Sequence, residues 1–314
     1  MTTIHPQLQE IAQKTPKFNF SQRNRWFMNL MFSFMRTPKL PADVRVETVW
    51  LERPSAKTKL RLRLYQPAAP AATPTPALLW LHGGGYVIGR PEMDDATCAQ
   101  FVQALGLKII SVDYRLAPKH PFPAGLDDSY QALTWLAAQA QQLGIDPTRI
   151  AIGGQSAGAG LAAALAQLAH DRQGVQPIFQ LLVYPMLDDR TVLRTDLDDG
   201  NHVAWTQTSN RYGWEAYLGQ PGGAVELPAY AAPARRENLS GLPPAWLGVG
   251  TLDLFHDENV AYAQRLQAAG VPCELLVVPG AFHGFNVFDP TIPIAQEFQQ
   301  AQIAALQHHL FPAG

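Results

Sequence analysis

Cysteine is scarce, two in 314 residues, and Cys98 and Cys273 build neither a disulfide framework nor a four-ligand zinc site. Two unpaired thiols are expected, which fits a reducing cytoplasm. Neither sign of charge dominates. Lys and Arg number 24 against 26 Asp and Glu, a net charge of −2, so the basic footprint of a nucleic-acid binder is missing. The N-terminal MTTIHPQLQEIAQK has no basic start followed by an apolar stretch and does not read as a secretory signal. The most apolar stretch near it, WFMNLMFSFM (26–35), is half the length that crosses a bilayer, so stable membrane insertion is not expected. Repeats are absent. What is plentiful is apolar: 47% hydrophobic against 16% charged residues, enough for a sizeable core and too apolar for a disordered chain.

From about residue 43 the chain alternates. VRVETVWLE (44–52) and LRLRLYQ (60–66) show period two, as half-buried antiparallel strands do, and the Pro/Ala stretch 66–77 reads as an exposed loop. Short apolar runs at 77–81, 108–114, 150–154, 179–185, 246–250 and 273–280 read as buried strands. Helical spacing falls between them, at 95–106, 126–143, 157–170 and 258–270, and closes the chain at 295–310. Strand–helix alternation of this kind predicts a mostly parallel sheet covered on both faces. Two stretches stand outside it, residues 1–42 and about 188–220, and both are expected to pack over one end of the sheet. The domain expectation is an N-terminal cap segment, 1–42, and a catalytic domain, 43–314, with a cap insertion at about 188–220.

Two motifs carry chemistry. Gly154, Ser156 and Gly158 form G-x-S-x-G between an apolar strand and an alanine-rich helix, the context of a nucleophile elbow, where a strained turn exposes the serine hydroxyl. LHGGGYVIG (81–89) also follows a strand, and His followed by three glycines arises by chance roughly 0.004 times in such a chain. With no Lys in a G-K-[ST] position and no G-x-G-x-x-G frame, a phosphate loop is disfavoured. The N–H groups of Gly83, Gly84 and Ala157 are the candidates for binding an oxyanion.

A serine nucleophile needs a base and an orienting acid, in the chain order Ser, Asp or Glu, His. Among the later histidines, His283 lies on a glycine-flanked loop directly after a strand, where sites sit in open α/β sheets; His256, at a helix start, is its competitor. Asp253 follows a strand by a short loop. Asp257 and Glu258 open a helix, where carboxylates favour the dipole, and Asp188 and Asp189 follow an earlier strand.

HGGGYVIG, VDYRLAPKHPFPAGLDD (112–128), GGQSAGAGLA (153–162), YPMLD (184–188), LSGLPPAWLGVGTLDLFHDE (239–258) and HGF (283–285) occur in that order, and the chain resembles the bacterial hormone-sensitive-lipase-like family of α/β-hydrolase carboxylesterases over about residues 44–310. The resemblance implies an α/β-hydrolase fold with a helical cap. It also implies serine esterase activity on small-molecule esters, with nucleophile, acid and base at Ser156, Asp253 and His283 and oxyanion donors at Gly83, Gly84 and Ala157. No metal or organic cofactor is implied. Members often dimerise, which keeps a homodimer open. Three departures stand out: Gln155 where Asp or Glu usually precedes the serine, Lys119 for a usual Glu, and DLFHDE around Asp253.

Other prominent residues read as structural. His82 orders the glycine loop, Asp113, Tyr114 and Arg115 make polar contacts behind the site, and Tyr184 with Pro185 shapes a strand end. The stretch Trp26 to Met35 is expected to act as a lid rather than a membrane-surface helix, and Trp205, Tyr212, Trp214 and Tyr217 to help roof an apolar pocket for short- to medium-chain acyl groups. An amidase or lactonase would use the same machinery; a ligand-binding receptor on this fold would lack part of the Ser–Asp–His set.

Overall fold

The computed structural model describes residues 3–15, 19–21, 23–24, 27, 40–54, 58–197 and 202–312. The expected lid stretch, apart from Phe27, lies outside the described residues. The strands are β1 (Val44–Glu52), β2 (Lys59–Pro67), β3 (Thr75–Leu81), β4 (Lys108–Asp113), β5 (Ile145–Gln155), β6 (Phe179–Val183), β7 (Ala245–Gly250) and β8 (Cys273–Val278). They form one sheet in the order β1-β2-β4-β3-β5-β6-β7-β8. The β1–β2 and β2–β4 pairs are antiparallel and all the others parallel. The helices are α1 (Gln9–Lys14), α2 (Asp95–Leu105), α3 (Ala124–Gln139), α4 (Ala157–Arg172), α5 (Gln207–Leu218), α6 (His256–Ala268), the short α7 (Phe285–Phe288) and α8 (Pro293–Leu310). This is the α/β-hydrolase arrangement, and no described helix is long and apolar enough to cross a membrane.

The apolar strand runs are buried because helices lie on both faces: α2 packs against α8, and α3 against α4. In β3, Leu78, Leu79, Trp80 and Leu81 are all fully buried. Helix α4 is buried from Ala157 through Ala169. Its run of Ala and Gly explains this, since small side chains let the backbone lie against the sheet and neighbouring helices at once.

Strand β2 differs from the half-buried expectation. Leu60, Leu62 and Leu64 point into the core as period two requires. The opposite face is covered as well. Arg61 pairs with Glu92 and Asp113, and Arg63 with Asp95, which also accepts from the Tyr65 hydroxyl at 2.6 Å. The alternation correctly marks two faces, but the polar one meets fixed carboxylates instead of water.

The two stretches outside the alternation meet each other. Phe20 N–H donates to Ser209 Oγ (2.9 Å), Thr206 Oγ1 donates to Asn19 Oδ1 (2.6 Å), and the Phe20 and Trp205 rings lie 5.5 Å apart. Near the start of the chain, Leu8 is fully buried and His5 N–H donates to Gly280 O (2.9 Å).

Candidate active site

The end of β5 and the start of α4 are joined by a single residue, Ser156, at φ 54° and ψ −122°. A non-glycine residue held there stores about 1–3 kcal/mol of strain. The surroundings over-determine it: Ser156 N–H donates to Val183 O, and its carbonyl accepts from both Gly160 and Met186 N–H. The flanking glycines are needed for close approach. A Cβ on Gly154 or Gly158 would stand 2.4 or 2.0 Å from Leu81 O, at the end of β3. The turn therefore lifts the serine side chain at the start of a helix, where backbone N–H groups lack intrahelical partners.

The loops after β7 and β8 are zipped together. Thr251 N–H donates to Val278 O, Leu252 N–H to Ala281 O, and Gly280 N–H to Thr251 Oγ1. This brings Asp253 against His283, with Asp253 Oδ2 2.8 Å from His283 Nδ1, while Oδ1 accepts from Phe255 N–H at 2.9 Å. The other imidazole nitrogen, Nε2, is 2.9 Å from Ser156 Oγ. Ser156, Asp253 and His283 are 6%, 4% and 8% exposed, so water screens these contacts little. Edge-to-face rings of Tyr184 (4.9 Å) and Phe255 (5.1 Å) hold the imidazole plane.

The glycine loop lies beside this arrangement. A Cβ on Gly83 would stand 3.6 Å from Ser156 Cβ. Among the described residues, the N–H groups of Gly83, Gly84 and Ala157 have no hydrogen-bond partner within the protein. His82 Nδ1 lies 2.8 Å from Gly83 O, and since a carbonyl only accepts, that nitrogen carries the proton. Burial holds the His82 pKa below the ordinary imidazole value. The ring stacks on Tyr114 at 4.2 Å, and the Tyr114 hydroxyl donates to His82 O. His82 is thus a fixed, neutral brace for the loop.

The competing residues are engaged elsewhere. His256 pairs with Asp257, Asp188 with Arg190, and Asp189 with Arg235. Glu258 is buried; it accepts from Leu187 N–H, Asp188 N–H and the Thr191 hydroxyl, and burial pushes its pKa well up. Lys119 is exposed. Of the four aromatics expected as a roof, Trp205 lies near the imidazole (6.5 Å), whereas Trp214 and Tyr217 pack on Tyr86 of the glycine loop, at 5.4 and 4.0 Å. Among the described residues, no group of three His, Cys, Asp or Glu side chains is placed to hold a metal ion.

One part of the site carries no sequence motif. Gln155 Nε2 donates to Asp94 Oδ1 at 2.5 Å, and Tyr184 OH lies 3.1 Å from both Gln155 Oε1 and Asn286 Oδ1. Asp94 Oδ2 accepts from Trp80 Nε1–H at 2.7 Å. Asp94 is 2% exposed, and burial pushes its pKa up to about 7 against the donors that favour its charge.

Residues 78–287 match the profile of a family described as having the alpha/beta hydrolase fold. Esterase LipI of Mycobacterium tuberculosis is 36% identical, covering 87% of this chain and 84% of its own length. Ethyl acetate hydrolase of Pseudomonas putida is 37% identical, covering 80% and 79%. The solved structure of a bacterial heroin esterase superposes with a TM-score of 0.89 at 35% identity, covering 98% of both chains. Fold, motif order and relatives agree, and the chain belongs to the bacterial hormone-sensitive-lipase-like carboxylesterases of the α/β-hydrolase fold and is a carboxylic ester hydrolase.

Proposed function

We propose that this carboxylesterase works through Ser156, His283 and Asp253 as a catalytic triad, by way of an acyl-enzyme. The observation that carries this reading is the pair of hydrogen bonds on one imidazole, 2.9 Å to Ser156 Oγ and 2.8 Å to Asp253 Oδ2. With Nδ1–H held by Asp253, Nε2 is the free base that takes the serine proton as Oγ attacks the ester carbonyl. The N–H groups of Gly83, Gly84 and Ala157 bind the resulting oxyanion, a contribution of about 3–4 kcal/mol where one such donor is lost elsewhere. The imidazolium, steadied by Asp253, protonates the departing alcohol. Water then enters, His283 removes its proton, and the acyl group leaves as the acid while Ser156 is restored.

The substrates of this reading are short- to medium-chain acyl esters, a range supported by the name of the ethyl acetate hydrolase relative and by the bulk of Trp205 beside His283. Residues 1–42 and about 188–220 form the cap over Ser156; the hydrogen bonds from Phe20 and Thr206 that join the two segments support this. The free thiols of Cys98 and Cys273 support a cytoplasmic location. A homodimer rests on the family alone, and light scattering on the purified chain decides it.

Rapid mixing with p-nitrophenyl acetate tests the mechanism. A burst of nitrophenol equal to the enzyme present, absent in Ser156→Ala, is the expected result; steady turnover without a burst in every chromogenic ester tried, together with active Ser156→Ala, overturns it. Matched amide and lactone substrates in the same assay are expected to turn over more slowly than the ester.

A further inference from the structure

Gln155 adjoins the serine turn and the glycine loop and reaches the His283 side through Tyr184. Its backbone leads directly into the strained turn at Ser156. A Cβ on Gly83 of the glycine loop would stand 3.3 Å from Gln155 O and 3.4 Å from its Cγ. Its amide oxygen meets the Tyr184 hydroxyl, which also meets Asn286, three residues past His283, and the Tyr184 ring stands edge-to-face with His283. The other end of the amide is held by Asp94, a buried carboxylate brought up by the turn between β3 and α2 and fixed in turn by Trp80.

We propose that Asp94 and Gln155 are a positioning pair for the Ser156 site, in which the buried Asp94 carboxylate fixes the orientation of the Gln155 amide between the strained serine turn and Tyr184. The proposal rests on Ser156 being the nucleophile. Both carboxylate oxygens of Asp94 face N–H donors, so the geometry fits the ionised form. A proton on Asp94 must instead be given to the one acceptor beside it, Gln155 Oε1. The amide then turns end for end, and Tyr184 accepts from it where it had donated.

Asp94 sits where such a proton comes and goes, its pKa pushed up to about 7 by burial. The groups facing it are Asp95 and Cys98 from α2, Tyr114 beyond β4 and Tyr184 beyond β6. The nearby cations Arg61 and Arg63 are engaged with Glu92, Asp113 and Asp95.

The test is the pH profile of kcat/KM for p-nitrophenyl butyrate in the wild type, Asp94→Asn, Gln155→Glu and the double exchange Asp94→Asn/Gln155→Glu. In the wild type the acid limb is expected to be steeper than one ionisation, because imidazole and Asp94 must both lose protons. Asp94→Asn, locked in the protonated pattern, should show a single ionisation and a plateau about 5- to 20-fold lower, carried by kcat more than KM. Gln155→Glu places two carboxylates in contact and should lose at least as much above about pH 7. The double exchange swaps the two groups. The amide now at position 94 donates to the carboxylate now at position 155 and accepts from Trp80, while the Tyr184 hydroxyl donates to that same carboxylate. The plateau should then return to within about threefold of wild type.

An Asp94→Asn profile equal to wild type, or a double exchange no better than its worse single, overturns the pairing. Should Asp94→Asn fail to fold, Gln155→Met removes the same hydrogen bonds at similar volume and must lower the plateau likewise. Labelling by a fluorophosphonate and the Ser156→Ala control separate the two layers. Turnover in Ser156→Ala removes the nucleophile assignment, while a dead Ser156→Ala beside an unaltered Asp94→Asn removes only the pair.

Discussion

The indole of Trp205 occupies the space a side chain at Gly85 would need: a Cβ there would stand 2.0 Å from Trp205 Cη2. The same ring lies 6.5 Å from His283 and 5.5 Å from Phe20, so one residue joins the glycine loop, the imidazole side of the site and the N-terminal segment. Trp205→Ala should open the space beside the acyl group. Each methylene newly accommodated adds up to about 0.8 kcal/mol, so the ratio of kcat/KM for octanoate over acetate should rise about tenfold. Gly85→Ala, at φ +57° and against the indole, should lose most activity and about 1–3 kcal/mol of stability. An unchanged chain-length profile in Trp205→Ala removes Trp205 from the pocket wall.

The triad assignment makes a histidine-specific prediction. His283→Ala should lower kcat by roughly 10⁵–10⁶-fold and Asp253→Asn by roughly 10⁴-fold, while His256→Ala, whose ring pairs with Asp257 at the surface, should stay within about threefold of wild type. A dead His256→Ala beside an active His283→Ala would reverse the choice of base.

Stability should depend on pH through Asp94. Its folded-state pKa, about 7, is raised above the ordinary 3.8, so between these values the native chain holds a proton that the unfolded chain has lost. The sign is that stability falls as pH rises from about 4 to about 7, by up to about 4 kcal/mol, and then levels. Asp94→Asn lacks this loss. Urea unfolding of both chains at about pH 5 and pH 8 should show the variant gaining on wild type at the higher pH. A gap that does not change with pH contradicts it.

Removing residues 1–40 should slow the enzyme and blur its selectivity, because it deletes Leu8 and Phe20 from the core and the partner of Trp205. The measurement is kcat/KM across p-nitrophenyl esters from acetate to palmitate. The full chain should peak between acetate and octanoate. A shortened chain with the same profile, or a full-chain optimum at palmitate, would refute the cap.

Strand positions are legible in the sequence because the buried strands are short apolar runs, most of them closed by Gly or Pro, and the elbow and glycine loop because their backbones demand glycine. The order Ser156, Asp253, His283 is readable from which loops follow strands. Contacts across long separations are not. Arg61 and Arg63 look like a solvated strand face, since alternation marks a polar face without naming what meets it, and Glu92 and Asp95 lie about thirty residues away. Asp94 looks like an ordinary acidic residue at a helix start; only the fold brings it to Gln155, 61 positions on. Trp214 and Tyr217 look equivalent to Trp205 in the sequence, yet they pack on Tyr86 while Trp205, just ahead of α5, lies near His283.

The hydrogen bond from His5 to Gly280, three residues ahead of His283, has a practical side. Gln7 adds a second tie by accepting from Ile294 N–H. Attaching a tag, a carrier or a solid support through the N-terminal segment therefore loads the strand of contacts that ends at His283, the base of the proposed triad. Helix α8 runs the other way: near its end His309 stacks on Phe179, at the start of β6, whereas Ser156 lies beyond the far end of the neighbouring strand β5. A handle on that side leaves the catalytic edge of the sheet unburdened, and an immobilised form of this esterase is best tethered there.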